Sequence, residues 1–200
     1  MKNNVTNRKK EQIMESALLL FAKHGYYEVC MDDVANNASV AKGTIYNYFE
    51  SKEDLFNSII SFKLNNLINS VQRVCNKKGN VKQNIRNYII HIYNFMLKNP
   101  EIFRMLKESE NRNDIQNETN ILITKVKNIL KSILEKISRE NTNLKNNDCQ
   151  FYTDLIMGTI ESSVMRMIKN SNQIDIFINK NEKENMVNFI FNAININNSN

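Results

Sequence analysis

Residues 31–56 read Met31-Asp-Asp-Val-Ala-Asn-Asn-Ala-Ser-Val-Ala-Lys-Gly-Thr-Ile-Tyr-Asn-Tyr-Phe-Glu-Ser-Lys-Glu-Asp-Leu-Phe56. Met31, Val34, Ala35 and Ala38 recur at helical spacing, which turns one apolar stripe inward and leaves Asp32, Asp33 and Asn36 in water. Asp32 and Asp33 also suit the positive end of a helix. Ser39 and Val40 then make a turn, and a second short helix follows with Ile45 and Phe49 as its i and i+4 anchors. Ser51-Lys-Glu-Asp opens a further helix as a capping-box variant in which Asp54 stands where Glu is usual.

The face opposite Ile45 and Phe49 carries Lys42, Gly43, Thr44, Tyr46, Asn47 and Tyr48. Lysine and hydroxyls suit phosphate oxygens, Asn and Thr suit base edges, and a glycine suits a place where backbone must approach another chain. A merely solvated helix gives no reason for two exposed tyrosines beside a lysine. Two helices joined by a tight turn are also a common packing unit, so the residues by themselves leave a DNA-reading role and a packing role both open.

Gly43-Thr-Ile-Tyr-Asn-Tyr-Phe49 followed by Ser51-Lys-Glu-Asp-Leu55, placed after Phe21-Ala-Lys-His-Gly-Tyr26, resembles the DNA-binding head of the tetracycline-repressor (TetR/AcrR) family. The resemblance covers roughly Arg8 to Ile60. It implies that the second short helix occupies the major groove and that the next helix offers its N-terminus to a phosphate. Carried over by position, Lys42, Gly43, Thr44, Tyr46, Asn47, Tyr48 and Lys52 become the DNA-binding set. One residue departs from the pattern. Cys30 stands where the family usually has Thr or Ser, and a thiol is a weak N-cap, so that helix is expected to start loosely or to be capped from Asp32.

A chain of 200 residues that is 42% apolar can bury a core, and four Gly with one Pro favour long helices over sheets. The expected fold is all-α, with about nine helices: a three-helix helix-turn-helix head, a long fourth helix, and a helical bundle for ligand binding and dimerisation. The expected division is a flexible basic arm over 1–7, a head over 8–60 with its motif at about 30–49, and the bundle over 61–200. The first helix should run from about Arg8 to His24 with Gly25 as its stop, and the fourth from Ser51 to about Cys75. Breaks are expected at Asn76 to Asn80 and near Asn111 to Asn117, and Asn99-Pro100 should open a short sixth helix. The last two helices should span about Asp148 to Lys169 and Glu182 to Ile196, with Ile174 to Ile178 in a connecting loop.

The net charge is +6, but residues 1–60 hold seven Lys or Arg against eight Asp or Glu, so the surplus lies beyond the head. Attraction to phosphate is left to Lys2, Arg8, Lys9, Lys10, Lys42 and Lys52, and DNA affinity should fall only modestly with salt.

Cys30, Cys75 and Cys149 are odd in number and widely spaced, which fits a reducing cytoplasm better than a disulfide framework or a metal site. No stretch reaches the length of an apolar membrane span. With His24 and His91 as the only histidines, and no Gly-rich phosphate loop, nucleophile motif or metal spacing, nothing assembles a reaction centre or a cofactor site. No catalytic residue, cofactor or metal is expected.

Tyr88, His91, Tyr93, Met96, Phe103, Phe151, Tyr152 and Met157 are candidate linings for an apolar effector pocket, each equally explicable as core. The family pairs its last two helices with their copies in a second subunit. The resemblance therefore implies a homodimer whose interface includes Phe151, Leu155, Gly158, Ser162, Met186, Phe189, Ile190 and Ala193. The expected function is a ligand-responsive regulator of transcription, a repressor that binds a palindromic operator as a homodimer and is released by a small apolar effector. The alternative is a helical binding or interaction protein whose head does not read DNA.

Overall fold

A computed structural model describes residues 2–75, 80–109, 116–140, 148–170 and 180–194, with the side chains of residues 2–6 and of a few helix-end residues outside that description. Its helices are α1 Lys2–His24, α2 Met31–Asn37, α3 Lys42–Tyr46, α4 Lys52–Cys75, α5 Val81–Lys98, α6 Pro100–Ser109, α7 Gln116–Glu140, α8 Cys149–Asn170 and α9 Lys180–Ala193. Among the described residues there is no strand, as the scarcity of Gly and Pro leads one to expect. The expected loop at Ile174 to Ile178 and most of the breaks near 76–80 and 111–117 lie outside those residues.

α1 begins at Lys2, ahead of the expected start at Arg8, because no Gly or Pro interrupts the run before it. Its end follows the sequence closely. Gly25 adopts φ 81° and returns its N–H to the Phe21 carbonyl at 2.8 Å, a left-handed stop that a side chain would strain.

The chain forms two compact units, the first comprising Met1–Asn65 with Asn99–Leu122, the second Asn66–Lys98 with Ile123–Asn200. The sequence reading counted α6 with the bundle. Contacts group it with the first unit, where it packs against α1.

In the first unit, Ile13, Ala17, Phe21, Val34, Ile45, Phe49, Leu55, Phe56 and Ile60 are at most 1% exposed. Phe21, Tyr26 and Phe56 form an aromatic triad with ring centroids 5.2 to 5.8 Å apart. Polar contacts set the angle of α2 on α1. Gln12 Nε2 donates to the Ala38 carbonyl at 2.9 Å, and Asn37 Nδ2 donates to Ser16 Oγ at 2.7 Å.

In the second unit α5, α8 and α9 pack together over a core that includes Ile85, Ile89, Ile92, Ile160, Val164 and Val187. Tyr88 is fully buried and donates its hydroxyl to the Val126 carbonyl at 2.9 Å, so α5 is tied to α7 through a satisfied polar atom. Arg86 pairs with Glu184 and links α5 to α9. No described helix is long and apolar enough to cross a membrane.

Candidate nucleic-acid interface

The turn between α2 and α3 is built at Ser39, which takes φ 51° while its N–H reaches the Asn36 carbonyl at 3.2 Å and that of Val40 reaches Ala35 at 3.0 Å. α3 is short, and two side chains hold it: Ile45 is fully buried and Phe49 is 1% exposed. Lys10 of α1 lies over the Phe49 ring at 5.2 Å, just past the end of this helix. With both anchors inward, Lys42, Gly43, Tyr46 and Asn47 are exposed and Thr44 and Tyr48 half-buried. Tyr46, at 48% exposed, is an aromatic ring that the fold leaves uncovered.

Gly43 is informative for what is missing around it. A Cβ built there meets nothing within 4 Å, so no contact within the chain requires a glycine.

The start of α2 departs from expectation. The cap comes from Asp33, whose Oδ2 accepts the Cys30 N–H at 2.9 Å and the Cys30 thiol at 2.8 Å. Asp33 sits three residues on, where its carboxylate reaches back over the first turn. These two bonds hold its pKa below the ordinary carboxylate value. Asp32 is thereby left for another role, and its carboxylate pairs with Lys42 Nζ at 2.8 Å. At α4, Ser51 Oγ accepts the Asp54 N–H at 3.0 Å, and Asp54 Oδ2 accepts the Glu50 N–H at 2.9 Å, one residue further back than a capping box would place it.

Lys52 points beneath the helix-turn-helix. Its ammonium donates to the carbonyls of Tyr26 and Val29 at 2.9 Å and of Tyr27 at 3.4 Å, and lies 4.4 Å from the Tyr26 ring centre. On the same corner Glu108 Oε1 of α6 accepts the Tyr26 N–H at 2.9 Å. Residues 26–29, which feed directly into α2, are therefore clamped by α4 on their carbonyls and by α6 on an amide. Sequence reasoning missed this clamp, because Lys52 and Glu108 lie 26 and 82 residues from Tyr26.

The candidate pocket residues fall in different settings. Tyr88 and Met157 meet in the core of the second unit, hydroxyl to sulfur at 3.5 Å, and Tyr93 is buried at 3%. His91, Met96 and Tyr152 are half-buried. Phe103 belongs to the first unit, buried on α6, and Phe151 is 65% exposed on α8.

His91 Nε2 lies 2.8 Å from Ser70 Oγ, and the Ser70 hydroxyl is itself committed to the Leu67 carbonyl at 2.8 Å. With the hydroxyl proton spent on that carbonyl, Ser70 Oγ accepts from His91, so Nε2 is the nitrogen that carries a proton. Burial first, then Arg73 and Lys98, hold the ring below its ordinary pKa of 6.5. Between the lowered value and 6.5 the unfolded chain binds the proton and the folded chain does not, so stability is full above 6.5 and falls as pH drops through that window. His91→Gln should flatten this loss, read as the difference in urea midpoints between about pH 7.5 and about pH 5.5. Parallel losses in both proteins would rule His91 out as its source.

The candidate dimer residues separate cleanly. Phe151, Leu155, Gly158 and Ser162 share one exposed face of α8, and Phe189 and Ala193 are exposed on α9. Phe151, Leu155 and Phe189 are 65%, 41% and 61% exposed. A Cβ on Gly158 would meet nothing within 4 Å, so this glycine serves no close approach inside the chain. Met186 and Ile190 instead face the chain's own core at 5% and 2%, because with Val187 they occupy the other side of α9. Beside the exposed face runs an open groove of about 460 Å³ lined by Thr159, Ser163, Arg166, Asn185 and Phe189 among others.

Cys75 and Cys149 are buried, and burial pushes the Cys75 thiol up to about 11, which makes it a poor thiolate. Among the described residues no three His, Cys, Asp or Glu side chains gather as a metal site.

Residues 13–59 match the sequence profile described as "Bacterial regulatory proteins, tetR family". The chain is 26% identical over 167 residues to the fatty acid metabolism regulator protein of Bacillus subtilis, covering 82% of this chain and 86% of that one. Among solved structures, the fatty acid degradation regulator FadR from Bacillus halodurans superposes with a TM-score of 0.81 at 20% identity, over 91% of this chain and 94% of that one. The transcriptional regulator FadR from Bacillus subtilis, solved in complex with stearoyl-CoA, gives 0.78 at 23%, over 90% and 96%. The two structures share the fold.

Proposed function

We propose that the chain, whose residues 13–59 match the profile of the tetR family of bacterial regulatory proteins, is a transcriptional regulator that binds operator DNA as a homodimer and releases it on binding a long-chain acyl-CoA. The observation that carries the DNA reading is the outer face of α3: exposed Gly43, Tyr46 and Asn47 stand over the buried anchors Ile45 and Phe49. In this reading Gly43, Thr44, Tyr46, Asn47 and Tyr48 lie in the major groove with Lys42 at their edge. Lys52 supports that face from below and is not needed as a phosphate ligand.

A two-fold pair would set two such faces about 34 Å apart, one turn of duplex. The exposed apolar residues of α8 and α9 are the surface proposed to join the copies, and water-exposed Phe151 and Phe189 give that pairing its driving force. The acyl-CoA class is supported by the relatives' names and by this chain's own charge, since the basic surplus lies beyond residue 60 and the effector is an anion with an apolar tail. An effector releases DNA only by binding the released state more tightly. The relatives are regulators, and we read this chain too as a non-enzymatic protein of the cytoplasm.

The direct test is selection of duplexes from a random pool by the purified chain, followed by titration of stearoyl-CoA into the complex. Enrichment of a palindrome and its release by the acyl-CoA, but not by coenzyme A alone, is the expected result. No enrichment would favour the reading in which the head does not contact DNA. Gly43→Ala sharpens the test. Helix propensity and the open space around it leave stability unchanged or raised by up to about 1 kcal/mol, while a methyl group in the groove should cost about 1 to 3 kcal/mol of DNA affinity. Equal DNA binding by this variant would remove Gly43 from the contact surface.

A further inference from the structure

Within the reading of α3 as a DNA-reading helix, the ion pair between Asp32 and Lys42 needs its own account. It joins the first turn of α2 to the first turn of α3, with Lys42 Nζ at 2.8 Å from Asp32 Oδ1 and 2.9 Å from Oδ2, and the side chains are 57% and 52% exposed. Exposed pairs of this kind contribute little to folding. Capping does not explain Asp32 either, since Asp33 already supplies the cap of α2. What the pair does control is charge on the outer face. Lys42 is the one lysine within residues 31–49, and it meets DNA already neutralised.

We propose that Asp32 restrains the sequence-independent affinity of the head by holding the Lys42 ammonium in an ion pair. A duplex carries condensed counterions, and a protein cation that neutralises a phosphate releases them, which gives both affinity and its dependence on salt. A lysine balanced by a neighbouring carboxylate brings no net charge and releases none. Binding then rests on shape and base edges, which random duplex does not reward, so the head leaves non-cognate DNA quickly. The excess of acidic over basic side chains in residues 1–60 works in the same direction, but only Asp32 acts through a lysine on the reading face.

The test titrates a labelled random-sequence duplex with the full-length wild type, Asp32→Asn, Lys42→Met and the double variant across a range of KCl concentrations. Circular dichroism establishes that all four are folded, and Asp32→Ala repeats the first substitution. Asp32→Asn should bind several-fold tighter at low salt, with a log-log salt slope steeper by about 0.9, the value for one added phosphate. In the double variant the gain should vanish, and Lys42→Met alone, which leaves Asp32 an unpaired carboxylate, should bind no more tightly than the wild type. A gain that survives loss of Lys42 would reduce Asp32 to one more unit of background charge and overturn the proposal. So would tighter binding by Lys42→Met alone, or weaker binding by Asp32→Asn. A wild type that binds no duplex at any salt would instead overturn the DNA reading, and this inference with it.

Discussion

Phe189→Asp is expected to leave a folded monomer that binds an operator at least about a hundredfold more weakly than the wild type. The ring is 61% exposed on α9, beside the outward face of α8 that carries Phe151 and Leu155, so the substitution breaks little inside the chain. Across a two-fold interface, however, each copy would bury a carboxylate against apolar side chains without a partner, and both copies carry the change. Operator affinity falls with it, because one head contributes only its own contacts once the second is no longer tethered. Sedimentation and gel-shift titration at the same protein concentration read the two losses together. An intact dimer would take Phe189 out of the interface. A monomer with wild-type operator affinity would break the link between pairing and DNA binding.

Lys52→Met should destabilise the protein even without DNA. The thioether replaces the stem but not the donors, so the carbonyls of Tyr26, Tyr27 and Val29 lose a shared charged partner. Charge-assisted bonds of this kind contribute about 1.5 to 3 kcal/mol each when buried. Lys52 is only half-buried and one of its bonds is long, so a total of about 2 kcal/mol is the reasonable expectation, or a thermal midpoint lower by about 4 to 8 °C. Glu108→Gln should lose less, since an amide oxygen still accepts the Tyr26 N–H. An unchanged midpoint in DNA-free Lys52→Met, with weaker binding to every duplex, would return Lys52 to the role of phosphate ligand.

The two lysines illustrate what sequence can and cannot say about the site. Lys42 and Lys52 hold the positions that resemblance assigns to contact residues, yet one is met by Asp32 and the other reaches under the fold to residues 26–29. The outcome depends on neighbours 10 and 26 residues away, and no periodicity records those. The cap on α2 erred in a smaller way. Asp32 and Asp33 are equivalent as letters, and only the direction of each side chain about the first turn decides that Asp33 bonds Cys30.

Sequence by itself determined the helices and the head: apolar residues spaced at 3.6, Gly25 as a stop, Ser39 in the turn, and the buried pair Ile45 and Phe49 that turns the rest of α3 outward. These are local, set by which side of one helix each residue falls on. Tertiary structure alone decided that α6 packs with the head, that Met186 and Ile190 are core while Phe189 is surface, and that Tyr88 is spent on the Val126 carbonyl. Each of those depends on which helix covers a given face. Covering is a contest among all the apolar stripes in the chain, and the pattern within a single stripe does not record its result.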